Sequence, residues 1–198
     1  MSFRKEIKFR LTKSDLLILK NELLKKGMNN LYPKRIVHSC YFDTRSLSLF
    51  HYSDEGVLPR KKIRLRWYNN QKILFKECKY SSIEGRFKES NIFKEKSFEK
   101  RYESFFKDKE VGLVFPTLLV SYSREYFNYK KVRITFDYDI NYLNLISKVN
   151  KKLVDPENVM EVKSLHTTSD EYIDSLINIQ PSRFSKYCRG VILTNLQI

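Results

Sequence analysis

The chain has 198 residues, 41% hydrophobic and 31% charged, and its 38 Lys and Arg against 23 Asp and Glu give a formal net charge of +15. That apolar share, with 14% aromatic residues, excludes a disordered polyelectrolyte and suffices for one closed core, so a single domain over residues 1–198 is expected. No window approaches the roughly 18 apolar residues of a membrane span.

The amino terminus reaches charge at Arg4 with no apolar signal-peptide region. The three cysteines (Cys40, Cys78, Cys188) are odd in number and far apart, which excludes a disulfide scaffold or zinc ribbon and fits a reducing cytoplasm. The excess of positive charge points to an anionic partner: nucleic acid, a membrane surface or a phosphate-rich small molecule.

The first predicted strand is Arg4–Leu11, where Arg4, Glu6, Lys8 and Arg10 alternate with Ile7, Phe9 and Leu11. Successive strand side chains face opposite ways, so period-two alternation is the signature of a strand. A helix follows: Leu16, Leu19 and Leu23 fall at helical spacing, Thr12 with Asp15 reads as a capping box and Gly27 as the stop. Asp43 and Thr44 read as a turn or cap. In Arg60–Tyr68, Arg60, Lys62, Arg64 and Arg66 share one face and Ile63, Leu65 and Trp67 the other.

Cys78, between Glu77 and Lys79, falls on the apolar face. A third helix is expected from Phe93 to Phe106, with Lys94, Lys96, Lys100 and Arg101, and Lys107 and Lys109 beyond, as a solvated face. In Lys131–Ile140, Lys131, Arg133, Thr135, Asp137 and Asp139 alternate with apolar residues, and Asp137 is expected to balance Arg133. Thr168 with Glu171 signals the start of a last helix. His38, His51 and His166 share no ligand spacing and read as surface or locally hydrogen-bonded residues.

An ordinary solvated strand face mixes Ser, Thr, Gln, Glu and Lys, whereas Arg and Lys recur here at i, i+2 and i+4. Closing such a sheet with its charged face inward gives a barrel with a basic lumen and helices covering the outside. Many buried cations repel and are poorly solvated unless an anion or water fills the space. The expected fold is therefore α+β, an antiparallel β tunnel for a polyanion. Against nucleic acid, no helix-turn-helix, RNP-type aromatic pair or glycine-rich RNA loop is visible.

Seven short motifs in order resemble the VTC-type polyphosphate polymerase domain of the triphosphate tunnel metalloenzyme superfamily. They are Tyr41-Phe42-Asp43-Thr44, Lys62-Ile63-Arg64-Leu65-Arg66-Trp67-Tyr68, Glu77-Cys78-Lys79, Tyr122-Ser123-Arg124, Arg133-Ile134-Thr135-Phe136-Asp137, Glu161-Val162-Lys163 and Arg183-Phe184-Ser185-Lys186-Tyr187. The resemblance implies an eight-stranded closed tunnel, a divalent cation (Mn2+ or Mg2+), and transfer of the ATP γ-phosphate to a growing polyphosphate chain.

By the same resemblance, Arg64, Arg66, Lys79, Arg124 and Lys186 take catalytic roles. Lys8, Lys62, Lys88, Arg133, Lys163, Arg183 and Ser185 are expected to bind phosphates and Glu161 to hold the metal, with Glu6 and Glu77 either further ligands or residues that orient a lumen cation. Arg4 stands where the superfamily's hydrolases place the first glutamate of an E-x-E-x-K pattern, which favours transfer over hydrolysis because two-metal activation of water loses a carboxylate. Neither a phosphate-sensing domain nor a membrane segment accompanies the motifs, which leaves room for a separate membrane partner.

The residue chemistry agrees. Phosphoryl transfer needs mainly positioning and charge stabilisation, and Arg64 and Arg66, about 7 Å apart on one strand, could grip neighbouring phosphates. A terminal phosphate is already an anionic nucleophile and needs no protein base. The expected activity is that of a cytoplasmic, metal-dependent phosphotransferase acting on ATP and polyphosphate. A tripolyphosphate or nucleoside triphosphate hydrolase and a non-catalytic polyanion-binding module are the alternatives. Relief of mutual repulsion between Arg64 and Arg66 is expected to raise stability when both are removed.

Overall fold

The computed structural model describes residues 4–83, 85–93, 102, 105–146 and 152–195. In chain order the elements are β1 (Arg4–Leu11), α1 (Lys13–Lys25), β2 (Asn29–Asp43), α2 (Ser48–Glu55), β3 (Arg60–Tyr68), β4 (Leu74–Ser82) and β5 (Gly85–Phe93). They continue with β6 (Phe106–Asp108), β7 (Gly112–Tyr129), β8 (Val132–Asn144), β9 (Lys152–Val154), β10 (Asn158–Leu165), α3 (Asp170–Leu176) and α4 (Lys186–Asn195). The α+β class holds, with a mostly antiparallel sheet of ten strands and four helices among the described residues.

The hydrogen-bonded order is β1-β10-β8-β7-β2-β3-β4-β5, with β6 on β7 and β9 on β8. The expected closed eight-stranded barrel is corrected by this order. Ten strands are present, and among the described residues β1 and β5 are the two ends of the path, with no ladder joining them. Of the expected third helix, residues 94–101 lie outside the described residues, while its two ends, Phe93 and Phe106, belong to strands.

The chain divides into two compact units. The first comprises residues 1–35, 122–140 and 155–184. Here the alternation of the first strand does what period two requires: Phe9 and Leu11 are buried, while β1 pairs with β10 and β10 with β8. Helix α1 begins as its capping box predicts, with the Asp15 N–H donating to Thr12 Oγ1 at 3.1 Å, and ends before Gly27 at φ +95°. Leu16 and Leu23 bury against Phe9, Phe136, Met160 and Val162, joined by Ile173 and Leu176 of α3. The cap of α3 is Ser169, one residue later than the expected Thr168, and its hydroxyl accepts from the Tyr172 N–H at 3.2 Å.

The second unit comprises residues 36–121, 141–154 and 185–198. Its core gathers the apolar face of β3 (Ile63, Leu65, Trp67) with Cys40, Phe42, Leu49, Leu74, Phe106 and Val114, and Cys78 packs at its edge. Cys40, Cys78 and Cys188 are all free thiols. Asp43 makes the local turn expected of it and accepts from the backbone N–H groups of Thr44, Leu49 and Phe50 at 2.7, 2.9 and 2.8 Å, which holds the first turn of α2 from outside, the N-cap residue itself being Leu47. His38 makes a local contact, 2.8 Å to Ser121 Oγ, and stacks on Trp67. Among the described residues no helix is long and apolar enough to cross a membrane.

Candidate functional site

In the second unit, register turns the charged strand faces into rows. Lys62 stands opposite Lys79, and Lys79 opposite Lys88, so three lysines line up across β3, β4 and β5. The next row runs Tyr41, Arg64, Glu77 and Ser90, and the one after it begins with Ser39 and Arg66. Directly opposed like charges destabilise a sheet. A three-lysine row is therefore kept against its own repulsion, which an anion would relieve.

A buried carboxylate anchors several of these cations. Glu77, 4% exposed, receives Arg64 through Nε and Nη2 at 2.7 and 2.6 Å, Lys88 Nζ at 2.6 Å and Arg66 Nη1 at 3.6 Å. Burial alone would push its carboxyl up, but Arg64, Arg66 and Lys88 outweigh that and hold it down at about 2. Both oxygens are thus engaged by cations, Oε2 by Arg64 and Arg66 and Oε1 by Lys88. Arg66 also donates from Nε to Ser39 Oγ at 3.1 Å. Burial lowers the Lys62 ammonium, whose Nζ donates to Ser185 Oγ at 2.8 Å.

Ser185 immediately precedes α4 and accepts from the Cys188 N–H at 3.3 Å, as a helix cap does. Lys186 is the first residue of α4, and Tyr187, the second, donates its hydroxyl to Asp43 Oδ2 at 2.5 Å. That bond ties the start of α4 to the end of β2.

In the first unit, Lys8 pairs with Glu161 and Glu161 with Thr135, while Glu6 pairs with Lys163 and Lys163 with Arg133. Lys163 Nζ lies 2.5 Å from Glu6 Oε1 and 2.9 Å from Glu161 Oε1, so one ammonium bridges both carboxylates. Arg124 grips the fully buried Asp137 in a two-pronged pair, 2.5 and 2.6 Å, and reaches within 4.0 Å of Glu161. Asp137 therefore balances Arg124, not Arg133 as expected.

Burial pushes the Glu161 carboxyl up, yet Lys163, Arg124 and Lys8 outweigh it and hold it well below the usual range. Lys8 Nζ itself donates to the Phe184 carbonyl at 2.8 Å. Arg183, in the same unit, is exposed. Arg133 Nε and Thr135 Oγ1 are buried without a hydrogen-bond partner among the described residues. Unspent buried donors beside a basic row are what a bound anion would satisfy.

A divalent cation fits the donor set of this unit. Among the described residues no three or more His, Cys, Asp or Glu side chains cluster as a closed metal cage. Glu6 and Glu161 nonetheless supply two carboxylates already drawn to one cation, with the Thr135 hydroxyl opposite Glu161. Hard cations such as Mg2+ and Mn2+ bind through one or two carboxylates and complete their shell with water and substrate phosphates.

The sequence reading missed three contributors. Ser39 and Tyr41 lie on the basic face of β2, but only the β2–β3 register shows them opposite Arg66 and Arg64. Tyr187 and Asp43 sit in separate motifs, and only the tertiary fold joins them. The pairing of Asp137 with Arg124 joins two different strands and has no local signal.

The VTC domain family model matches residues 3–195, and the chain belongs to that family. Solved structures of similar fold include a candidate adenylate cyclase from Bacillus halodurans, at 15% identity and TM-score 0.60, covering 93% of this chain and 94% of that one. Another, from Vibrio parahaemolyticus, is 13% identical at TM-score 0.53, covering 93% and 95% of the two chains. A candidate adenylyl cyclase from Hippeastrum, described as having a dominant triphosphatase activity, is 15% identical at TM-score 0.50 and covers 92% of each chain. No curated protein matches the sequence. Family and neighbours together place the fold in the triphosphate tunnel class.

Proposed function

We propose that the chain is an ATP-dependent polyphosphate polymerase that transfers the γ-phosphate of ATP to a growing polyphosphate chain. The observation that carries the reading is the basic face of the second unit, where Lys62, Lys79 and Lys88 form one row next to Arg64 and Arg66, and Arg64, Arg66 and Lys88 share the carboxylate of Glu77. A repeating line of anions matches such rows, because each strand step and each cross-strand step offers another cation to another phosphate. Arg64 and Arg66 grip through planar forks, while Lys62, Lys79 and Lys88 act as point charges. Ser185 and Lys186 add a hydroxyl and a further cation at the start of α4.

In the first unit, Glu161 with Glu6 would hold the divalent cation, and Lys8, Arg133, Lys163 and Arg183 would contact phosphates. When bound, the metal neutralises charge on phosphate oxygens. Arg124, locked by Asp137, presents a fixed positive charge beside Glu161 and stabilises charge that builds up during transfer. The acceptor is the anionic end of the phosphate chain, so this reading assigns no general base. Glu77 is assigned to orienting Arg64, Arg66 and Lys88.

The test is purified protein with γ-labelled ATP and manganese, with and without short polyphosphate primers. Polymer-bound label appearing in step with ADP supports the proposal. Label released nearly all as orthophosphate supports a hydrolase instead, and untouched ATP with every divalent metal supports a polyanion-binding module. Arg4→Glu should shift the product balance toward orthophosphate, since it restores the carboxylate that the hydrolases carry at that place.

A further inference from the structure

Tyr41 lies on β2 directly opposite Arg64 and is 6% exposed. Its ring is fixed from behind: it stacks on Tyr187 with centroids 4.9 Å apart and planes 18° apart, and Tyr187 is tied to Asp43. Its hydroxyl oxygen accepts from Arg64 Nη1 at 3.0 Å. Among the described residues this is the one hydrogen bond the hydroxyl makes, so its own proton is donated to no protein group. A buried hydroxyl that keeps its donor unspent forfeits the hydrogen bond it made to water.

The groups around that proton define what can take it. Lys62, Arg64 and Arg66 of β3 act on the phenol, Lys79 and Glu77 of β4 stand opposite Lys62 and Arg64, and Tyr187 and Asp43 close the other side. Four of these groups are cations, and the Glu77 oxygens are already taken by Arg64, Arg66 and Lys88. The fitting acceptor is an oxygen of a bound anion.

We propose that Tyr41 is a phosphate-contacting residue, which accepts from Arg64 and donates its phenolic proton to an oxygen of the phosphate that Arg64 grips. This rests on the reading of the basic face as a phosphate site. It adds a phenolic donor among the cations of that face, and it makes binding depend on one proton. Burial raises the phenol, but Arg64, Arg66 and Lys62 outweigh it and bring it down to about 8. Above that pH the phenolate has no proton to give and adds a negative charge beside the incoming anion. Binding and protonation of Tyr41 are therefore linked, and each must favour the other.

The experiment measures tripolyphosphate affinity of the full chain without metal, by calorimetry from pH 6.5 to 9.5, for the wild type and Tyr41→Phe. The ratio of the two affinities cancels the titration of the ligand itself. The wild type should bind about tenfold more tightly at pH 7, and the advantage should shrink by about tenfold per pH unit above 8. Tyrosinate absorbance of the wild type, which needs no variant to fold, should show one tyrosine ionising near 8 that moves upward when tripolyphosphate saturates the protein. A ratio of one at pH 7, or a tyrosinate titration indifferent to ligand, overturns the role of Tyr41 while leaving the phosphate site standing. Absence of tripolyphosphate binding to either protein at every pH overturns both.

Discussion

Arg64 reaches Glu77 across the β3–β4 ladder with two nitrogens on one oxygen, Nε at 2.7 Å and Nη2 at 2.6 Å from Oε2. The fork is not spent symmetrically on both carboxylate oxygens, because Oε1 belongs to Lys88 at 2.6 Å. The same Oε2 also lies 3.6 Å from Arg66 Nη1. One buried carboxylate thus organises three cations, and the face keeps a large positive excess without an equal number of acids.

That arrangement reverses one expectation about Arg64→Ala with Arg66→Ala. Removing both was expected to relieve repulsion and raise stability, but it would leave the buried Glu77 with Lys88 alone. Breaking a buried pair by removing one partner typically costs about 3–5 kcal/mol. The double variant should therefore melt lower than the wild type without ligand. Polyphosphate should raise the wild-type melting temperature far more than that of the variant. Equal stabilisation of both proteins by polyphosphate would remove these arginines from the phosphate site.

Glu77 predicts a pH window. Its folded carboxyl sits at about 2 against an ordinary 4.5, so its contribution is complete above about 4.5 and is lost as pH falls toward 2. Glu77→Gln should lose roughly 3 kcal/mol at pH 7, read from urea unfolding midpoints. The gap between variant and wild type should stay level from pH 7 to 5 and narrow clearly at pH 3. A gap that is constant down to pH 3 would mean that the charge of Glu77 is not what stabilises this face.

The parts of the fold and site that were legible in the sequence are those set by neighbours along the chain. The Thr12–Asp15 cap is a local hydrogen-bond pattern, and the Arg60–Tyr68 alternation follows from strand geometry alone. The Lys62–Lys79–Lys88 row was not legible, because it depends on the register of three strands. Helix α4 was missed for a tertiary reason. Gly190 weakens helical propensity, yet a Cβ there would come within 2.5 Å of Leu118 and Tyr142 side-chain atoms, so close packing demands the glycine that obscures the helix. The barrel was over-read: strand alternation predicts a sheet with one charged face, but closure depends on which strands meet at its ends.

Arg133 offers a test in which stability and binding move oppositely. Its Nε is buried without a partner among the described residues, and on the ladder it stands opposite Lys163, which is already engaged with Glu6 and Glu161. Arg133→Met keeps an unbranched apolar stem and deletes the uncompensated charge, so the ligand-free protein should melt a few degrees higher, on the order of 1 kcal/mol of added stability. The rise in melting temperature caused by tripolyphosphate should shrink at the same time. A variant that melts lower and responds to tripolyphosphate like the wild type would mark Arg133 as a structural cation.

Glu161 separates the metal role from the phosphate role. Its carboxyl is held well below the ordinary range by Lys163, Arg124 and Lys8 despite burial, so at neutral pH it is ionised and ready to face a divalent cation. Glu161→Gln keeps the shape and removes the charge. The bridge from Lys163 then rests on Glu6 alone, and Arg124 keeps its two-pronged hold on Asp137, so the local fold should survive. Tripolyphosphate affinity without metal should hold or rise, because a negative charge has left a basic neighbourhood. Manganese affinity, measured by electron paramagnetic resonance of the free ion, should fall by tenfold or more, and turnover with ATP should fall with it and recover only partly at high manganese. If the variant binds manganese as tightly as the wild type, Glu161 is the counter-ion of Lys163 and Arg124, and the cation is held by other residues.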